Sequence, residues 1–372
     1  MEDMFRFADE FGPTRIIHIY RPSTALKAIV VVDNAACGTA IGGVRMAPDV
    51  SADECFRLAR TMTWKNAAAG LPHGGGKSVI FGNPRMAAAE KEQLIRCFAD
   101  AIRDLTDYIP GPDMGTDEQC MAWVREKTGR AVGLPGVVGG IPLDEVGATG
   151  FGLAACVDVA SEFIQLDLQG ARVAVQGFGS VGRHAARFLS KKGAVLVAAS
   201  DTSGTVADVS GLDVGRLTAL KQAGQPLKNH DKGAKLALDA ILDVDCDIWI
   251  PAARPDVVRA DNVSRLRARL MPQGANIPCT PEAEQALHAR GVLVVPDFIA
   301  NAGGVICAAM EYRGGTQRAA FEYIDERVRA NTRAVLEESR RNKTLPRAAG
   351  LALAERRVRS AMHMKRWHSS QP

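Results

Sequence analysis

The 372-residue sequence lacks most of the features that would mark a disulfide-stapled, metal-binding or membrane-spanning chain. Its eight cysteines (Cys37, Cys55, Cys97, Cys120, Cys156, Cys246, Cys279, Cys307) form no Cys-x-x-Cys pair, and no histidine accompanies one at metal-ligand spacing. They read as reduced, mostly buried thiols, and no metal is expected. No apolar run approaches the roughly 18 residues that a membrane span needs. The acidic start Met-Glu-Asp-Met-Phe-Arg-Phe has no signal h-region, so a cytoplasmic chain with no membrane partner is expected. Charge is nearly balanced at +4, with basic residues scattered among acids, which gives nucleic-acid binding little support and favours small anionic ligands. Internal repeats and low-complexity tracts are absent too.

What is present is enough apolar material, 47% of the chain, for two cores, and the length suits two domains. A short amphipathic helix is expected near residues 2–11, then strands at 15–20 and 28–32 with Asp33-Asn34 as a turn. Helical patterns follow at about 52–69, opened by the capping box Ser51-Ala52-Asp53-Glu54, and at 86–104. Residues 108–116 read as an irregular loop that holds out Asp113. Glycines at 129, 133, 136, 139 and 140, with Pro135 and Pro142, mark a boundary. Two domains are therefore expected, over 1–138 and 139–335, with helices at about 340–372 free to pack back on the first. In the second domain, helices near 148–164 and 181–192 alternate with strands at 171–175, 194–199, 247–250, 269–271 and 292–295, the rhythm of a doubly wound parallel sheet.

Two lysines carry the front half. Lys65 lies in Thr-Trp-Lys-Asn-Ala-Ala-Ala-Gly and Lys77 in His-Gly-Gly-Gly-Lys, with no acidic residue beside either. One such lysine is commonly a surface residue at a tight turn; two in this setting suggest a site. Three glycines before Lys77 leave no side chain between ligand and backbone, and partial burial of an unpaired ammonium lowers its pKa toward that of a base. Lys65 extends the helical stripe Cys55, Leu58, Met62, where a cation needs an anionic partner from the chain or from a ligand.

In the back half, Gly177-Phe178-Gly179-Ser180-Val181-Gly182 follows a strand and opens a helix, the context a Gly-x-Gly-x-x-Gly dinucleotide turn requires. The first glycine would make the turn, the second admit a pyrophosphate, and the third let helix pack on strand. Asp201 ends the next strand, placed to accept from the adenosine ribose hydroxyls. Thr202 and Ser203 follow it without a basic residue, so NAD is favoured over NADP.

At this point the residues resemble a family. Ala-Ile-Gly-Gly-Val-Arg-Met (40–46), Thr-Trp-Lys through Gly-Gly-Gly-Lys (63–77), Pro-Asp-Met-Gly-Thr (112–116), Gly-Ala-Thr-Gly (147–150), Gln-Gly-Ala-Asn (273–276) and Asn-Ala-Gly-Gly-Val (301–305) are similar, in order and spacing, to motifs of the glutamate, leucine, phenylalanine and valine dehydrogenases. The resemblance implies an N-terminal α/β substrate domain plus a Rossmann-type doubly wound dinucleotide-binding domain, with a cleft between them. It also implies NAD-dependent oxidative deamination of an L-amino acid to a 2-oxo acid and ammonia, the reverse amination, and a homo-oligomer. By position, Lys65 would bind the α-carboxylate, Lys77 would be the catalytic lysine and Asp113 the proton shuttle. Thr149 would lie near the nicotinamide amide, Asn276 and Asn301 would border nicotinamide, ribose or substrate, and Ala252 would face the cofactor.

The same mapping puts Ile41, Gly111, Val305 and Ala308 around the substrate side chain. Glutamate dehydrogenases resembling this chain carry a lysine where Ile41 stands and a serine where Ala308 stands. A buried distal carboxylate would be unpaired here, so an apolar substrate, branched or aromatic, is expected. Leucine-type members tend to have alanine at Gly111 and a bulkier residue at Ala308, so the missing methyls are expected to enlarge the site. Two alternatives stand beside this: a glutamate dehydrogenase with an atypical side-chain pocket, and a non-catalytic NAD-binding regulator. His73 is read as a neutral packing residue close in sequence to Lys77.

Overall fold

Leu26–Asn34 (β2) is buried on both faces, and its period of two divides it between two cores. Ala28, Val30 and Val32 join one apolar cluster, Ile29 and Val31 another. The architecture of this computed structural model, which describes residues 5–365, grows around that strand.

Met1–Pro142, Val305–Ala320 and Leu351–Pro372 cluster as one compact unit, Leu143–Gly304 and Phe321–Gly350 as a second. The first unit holds β1 (Arg15–Arg21), β2, β3 (Ala40–Ala47), α1 (Ala52–Ala68), β4 (Gly74–Phe81), α2 (Ala88–Ala101), β5 (Tyr108–Pro112) and α3 (Glu118–Thr128). Its sheet runs β1-β2-β4-β3-β5, antiparallel from β1 to β4 and parallel from β4 through β3 to β5. Helix α1 starts where Ser51 Oγ accepts from the Glu54 amide, and its Cys55 and Ala59 pack with Ile29, Val31 and Val79. Ile95, Phe98, Met121 and Val124 of α2 and α3 cover the opposite face.

Three local expectations change. Of the helix at 2–11, residues 2–4 lie outside the described range, and Phe5–Phe11 form turns closed by an Asp9–Gly12 bridge. Asp33 and Asn34 extend β2 instead of turning. Tyr108–Pro112 is a strand, and only from Asp113 is it a loop. Proline fits because β5 is an edge: the Pro110 carbonyl accepts from the Val132 amide, away from β3, so the missing N–H costs no ladder bond.

The second unit contains α4 (Leu143–Val146), α5 (Ala148–Phe163), β6 (Arg172–Gln176), α6 (Ser180–Ser190), β7 (Val195–Asp201), β8 (Gly204–Ala207), α7 (Val214–Gln222) and β9 (Ala234–Leu236). β10 (Ile248–Pro251), β11 (Leu270–Pro272), α8 (Pro281–Ala289), β12 (Leu293–Val295) and α9 (Asp297–Ala300) follow. Helices α10 (Gly303–Tyr312), α11 (Gln317–Asn342) and α12 (Pro346–Lys365) complete the described chain. The sheet order is β12-β11-β10-β6-β7-β8-β9, parallel from β12 to β7 with β8 and β9 antiparallel. The chain leaves β6 toward β7 and later returns to its other side with β10. That reversal is the topological switch of a doubly wound sheet.

The unit boundaries differ from 1–138 and 139–335, for local reasons. Glu311 of α10 accepts from the amides of Leu134 and Ile141, which ties α10 to the first unit. Near the end of α12, Lys365 donates to the Ala35 carbonyl and Arg359 pairs with Glu10.

Candidate active site

Strand register sets the first unit's site. The β3–β4 offset aligns Ile41 with Gly75 and Val44 with Ser78, while β3–β5 aligns Ile41 with Ile109 and Gly43 with Gly111. With a period of two, Ile41, Gly43 and Arg45 share a face with Gly75 and Lys77, and with Ile109 and Gly111, the face on which α1 lies.

Glycine is required along this face for packing. A Cβ on Gly75 would stand 2.1 Å from the Thr63 nitrogen of α1, and one on Gly74 1.9 Å from the Asn34 carbonyl oxygen. One on Gly76 would meet the Tyr108 ring at 2.8 Å. The three glycines before Lys77 are thus a buried strand segment filled by neighbours and not an opening toward a ligand. Gly43 serves another purpose. A Cβ there would lie 2.7 Å from Asp113 Cβ and 3.0 Å from Lys77 Nζ, so its absence leaves room for those two side chains to meet.

They do meet. The buried Lys77 ammonium donates to Asp113 Oδ2, so Lys77 is not the unpaired cation the sequence suggested. The other oxygen, Oδ1, accepts from the Met114 amide at 2.6 Å and faces Arg45 at 3.5 Å. Arg45 is held in turn by Glu54 Oε1 at 2.5 Å. Burial raises the Asp113 pKa, but the charges of Lys77 and Arg45 and the hydrogen bonds outweigh it and hold the carboxyl below its usual range. Thr116 Oγ1 accepts from the Asp113 amide and donates to Val44 O, which fixes the loop to β3. Arg45 and Glu54 went unassigned in the sequence, although the 40–46 motif and the capping box contain them.

Lys65 is half-buried in the last turn of α1, the helix seated on Gly75. His73 Nδ1 donates to Thr39 O, its ring lies edge-on to Tyr312, and burial pushes its pKa down, which keeps the imidazole neutral near pH 7.

Ile41 and Ala308 are brought together in a buried apolar cluster with Ile109 and Val132. Val305 lies one turn earlier on α10, half-buried. Gly111 does not open the space its missing methyl suggested, because a Cβ there would touch Val132 Cγ2 at 3.1 Å. Val132 fills that volume from a segment beyond α3, which sequence proximity did not reveal.

In the second unit, Gly177 turns the chain with φ of 91°, and a Cβ on Gly182 would strike the Gly177 carbonyl oxygen at 2.1 Å. A Cβ on Gly179 would meet nothing within 4 Å, so backbone there borders open space. The first amides of α6, at Ser180, Val181 and Gly182, have no intrahelical carbonyl to bond and suit an anion. Two expected residues are otherwise engaged: Phe178 is buried and its amide donates to Ser200 O, and the Ser180 hydroxyl donates to Asp144 O.

The turn after β10 closes on Gly177, with the Ala252 amide donating to Gln176 O and Ala253 Cβ 2.6 Å from the Gly177 Cβ position. Ala252 therefore borders the switch point. Asn276 Oδ1 accepts from Asn301 Nδ2 at 3.1 Å, and Asn301 Oδ1 is buried without a hydrogen-bond partner among the described residues. Thr149 Oγ1 lies 2.8 Å from the Cβ position of Gly304, three residues beyond Asn301. A buried acceptor left without a partner and a glycine turn that borders open space fit a dinucleotide carrying an amide donor and a pyrophosphate.

Asp201 stands at the end of β7, and Thr202 beside it is exposed. Contrary to the sequence reading, a basic residue is present: Lys221 of α7 donates to Asp201 Oδ2 at 2.8 Å. Burial raises the Asp201 pKa, but Lys221, the Ser203 hydroxyl and the amides of Ser203 and Leu227 together bring it down to about 2.

Comparison with known proteins shows the family. Residues 15–130 match the family model described as Glu/Leu/Phe/Val dehydrogenase, dimerisation domain, and residues 139–366 that of Glutamate/Leucine/Phenylalanine/Valine dehydrogenase. The chain belongs to the glutamate/leucine/phenylalanine/valine dehydrogenase family. The family's reaction is oxidative deamination of amino acids. A glutamate dehydrogenase of Aeropyrum pernix is 37% identical over 356 residues, 90% of this chain and 85% of the relative. An NADP-specific glutamate dehydrogenase of Saccharolobus shibatae is 37% identical over 293 residues, 75% of this chain and 69% of the relative. Among solved structures, a hetero-hexameric glutamate dehydrogenase of Thermus thermophilus in a Leu-bound form has a TM-score of 0.85 at 29% identity, covering 95% of this chain and 90% of that one. An L-tryptophan dehydrogenase of Nostoc punctiforme has a TM-score of 0.74 at 25% identity, covering 95% and 98%. Among the described residues, no group of three or more His, Cys, Asp or Glu is placed to hold a metal, and no helix is long and apolar enough to cross a membrane.

Proposed function

We propose that this chain is a nicotinamide-dependent L-amino acid dehydrogenase whose substrate carries an apolar side chain, and that it works as a homo-oligomer. The observation that carries the side-chain reading is the buried, wholly apolar cluster of Ile41, Ile109, Val132 and Ala308. A distal carboxylate buried against those four groups would lack a cation, at a cost of several kcal/mol. The names of the relatives fit the other reading better: the two relatives and the Thermus thermophilus structure above are called glutamate dehydrogenases. The L-tryptophan dehydrogenase leans toward the apolar one.

The chemistry divides among a few residues. Lys65 would take the α-carboxylate and orient Cα, a proximity contribution. When bound, the dinucleotide accepts the hydride from Cα. With a proton handed to Asp113, Lys77 would activate the water that attacks the resulting imine and, recharged by that water's proton, stabilise the oxyanion that forms as ammonia leaves. Asp113, in contact with Lys77, would pass protons to and from the amine. Arg45, braced by Glu54, holds Asp113 ionised between proton transfers. The intact Lys77–Asp113 pair argues against a non-catalytic regulator. Asn301 Oδ1 and the open turn at Gly179 are the groups that would receive the dinucleotide.

The test is reduction of NAD and NADP with leucine, valine, phenylalanine, tryptophan and glutamate at equal concentration. Higher kcat/KM for one or more of the apolar amino acids than for glutamate is expected. Glutamate as the best substrate would replace the apolar reading with the glutamate one, and no turnover of any would overturn both.

A further inference from the structure

The acidic residue at the end of β7 would ordinarily reject a 2′-phosphorylated dinucleotide, because two anions would share one place. Its hydrogen bonding here is already complete. Asp201 Oδ1 accepts from the Ser203 amide at 2.9 Å and the Ser203 hydroxyl at 2.5 Å. Oδ2 accepts from Lys221 Nζ at 2.8 Å and the Leu227 amide at 3.1 Å. Those four donors fill the roughly four lone-pair sites of a carboxylate. The residue adjoins the glycine turn, since Ser200 O accepts from both Gly177 and Phe178.

A ribose hydroxyl that donates to Asp201 must therefore displace something. The two backbone amides are fixed by the hairpin and the chain, whereas Lys221 Nζ and Ser203 Oγ end rotatable side chains. Lys221 is partly accessible, with 27% of its side chain exposed against 8% for the Asp201 it pairs with. A ribose hydroxyl that takes the place of Lys221 releases an ammonium beside Asp201.

We propose that Lys221 is a coenzyme-specificity residue that lets this site take NADP as well as NAD. With NAD the 2′-hydroxyl would replace Lys221 on Asp201. With NADP the ammonium, joined by the Ser203 hydroxyl, would leave Asp201 for the 2′-phosphate and offset its repulsion by the carboxylate. The inference rests on the dinucleotide reading above and deepens it.

The experiment is fluorescence titration of the full chain with NADH and with NADPH, for wild type, Lys221→Ala and Lys221→Arg. Wild type is expected to bind NADPH within about tenfold of NADH, K221A to weaken NADPH at least about tenfold but NADH less than about threefold, and K221R to keep NADPH. Three results would overturn the inference while the dinucleotide reading stands: NADPH about a hundredfold weaker than NADH in wild type, K221A leaving NADPH unchanged, or K221A weakening both ligands alike. Failure of wild type to bind either ligand would overturn that reading, and the inference with it.

Discussion

Two glycine-rich stretches look alike as sequence and differ in what surrounds them. Gly74–Gly76 lies inside β4, and each missing Cβ is replaced by a neighbour: the Asn34 carbonyl, the α1 backbone at Thr63, the Tyr108 ring. In the turn from Gly177 to Gly182 the outer two glycines are equally crowded, but Gly179 faces open space with ordinary backbone angles, φ −85° and ψ −155°. Richness in glycine therefore does not distinguish close packing from room for a ligand. What lies along the absent Cα–Cβ bond does.

This contrast is breakable by adding one methyl group at each place. Gly75→Ala should have the larger effect, because its Cβ meets fixed backbone at 2.1 Å. Destabilisation of at least about 3 kcal/mol, or failure to accumulate folded protein, is expected in urea unfolding. A stable Gly75→Ala chain would mean that α1 is not seated there. Gly179→Ala should fold as wild type by the same measurement and lose about tenfold in dinucleotide affinity, since the methyl enters only the phosphate's place. Unchanged affinity would remove the turn from the binding site.

The sequence was most readable where local pattern and tertiary role coincide. The strand, glycine turn and helix at 172–190 follow from residues adjacent in the chain, and so does the capped start of α1. β5 was not readable because Pro-Gly-Pro carries no strand signal. It is a strand only because an edge position tolerates prolines whose outer side bonds elsewhere. The partners of the site residues were the least visible part. Lys77 and Asp113 are 36 positions apart, and Asp201 and Lys221 are 20 apart on different elements. Val132, which occupies the space beside Gly111, comes from beyond α3. Charge compensation of this kind is decided by how elements pack, so a segment can name an ionic residue without its counter-ion.

On the proposed reading, the cluster around Ile41 selects the substrate side chain. The most direct measurement is the ratio of kcat/KM for glutamate to that for leucine, in wild type and in the double variant Ile41→Lys with Ala308→Ser. A wild-type ratio below one is expected, rising at least about tenfold in the double variant, because an ammonium and a hydroxyl would then meet the distal carboxylate. A wild-type ratio above one, or no rise in a folded double variant, would contradict it.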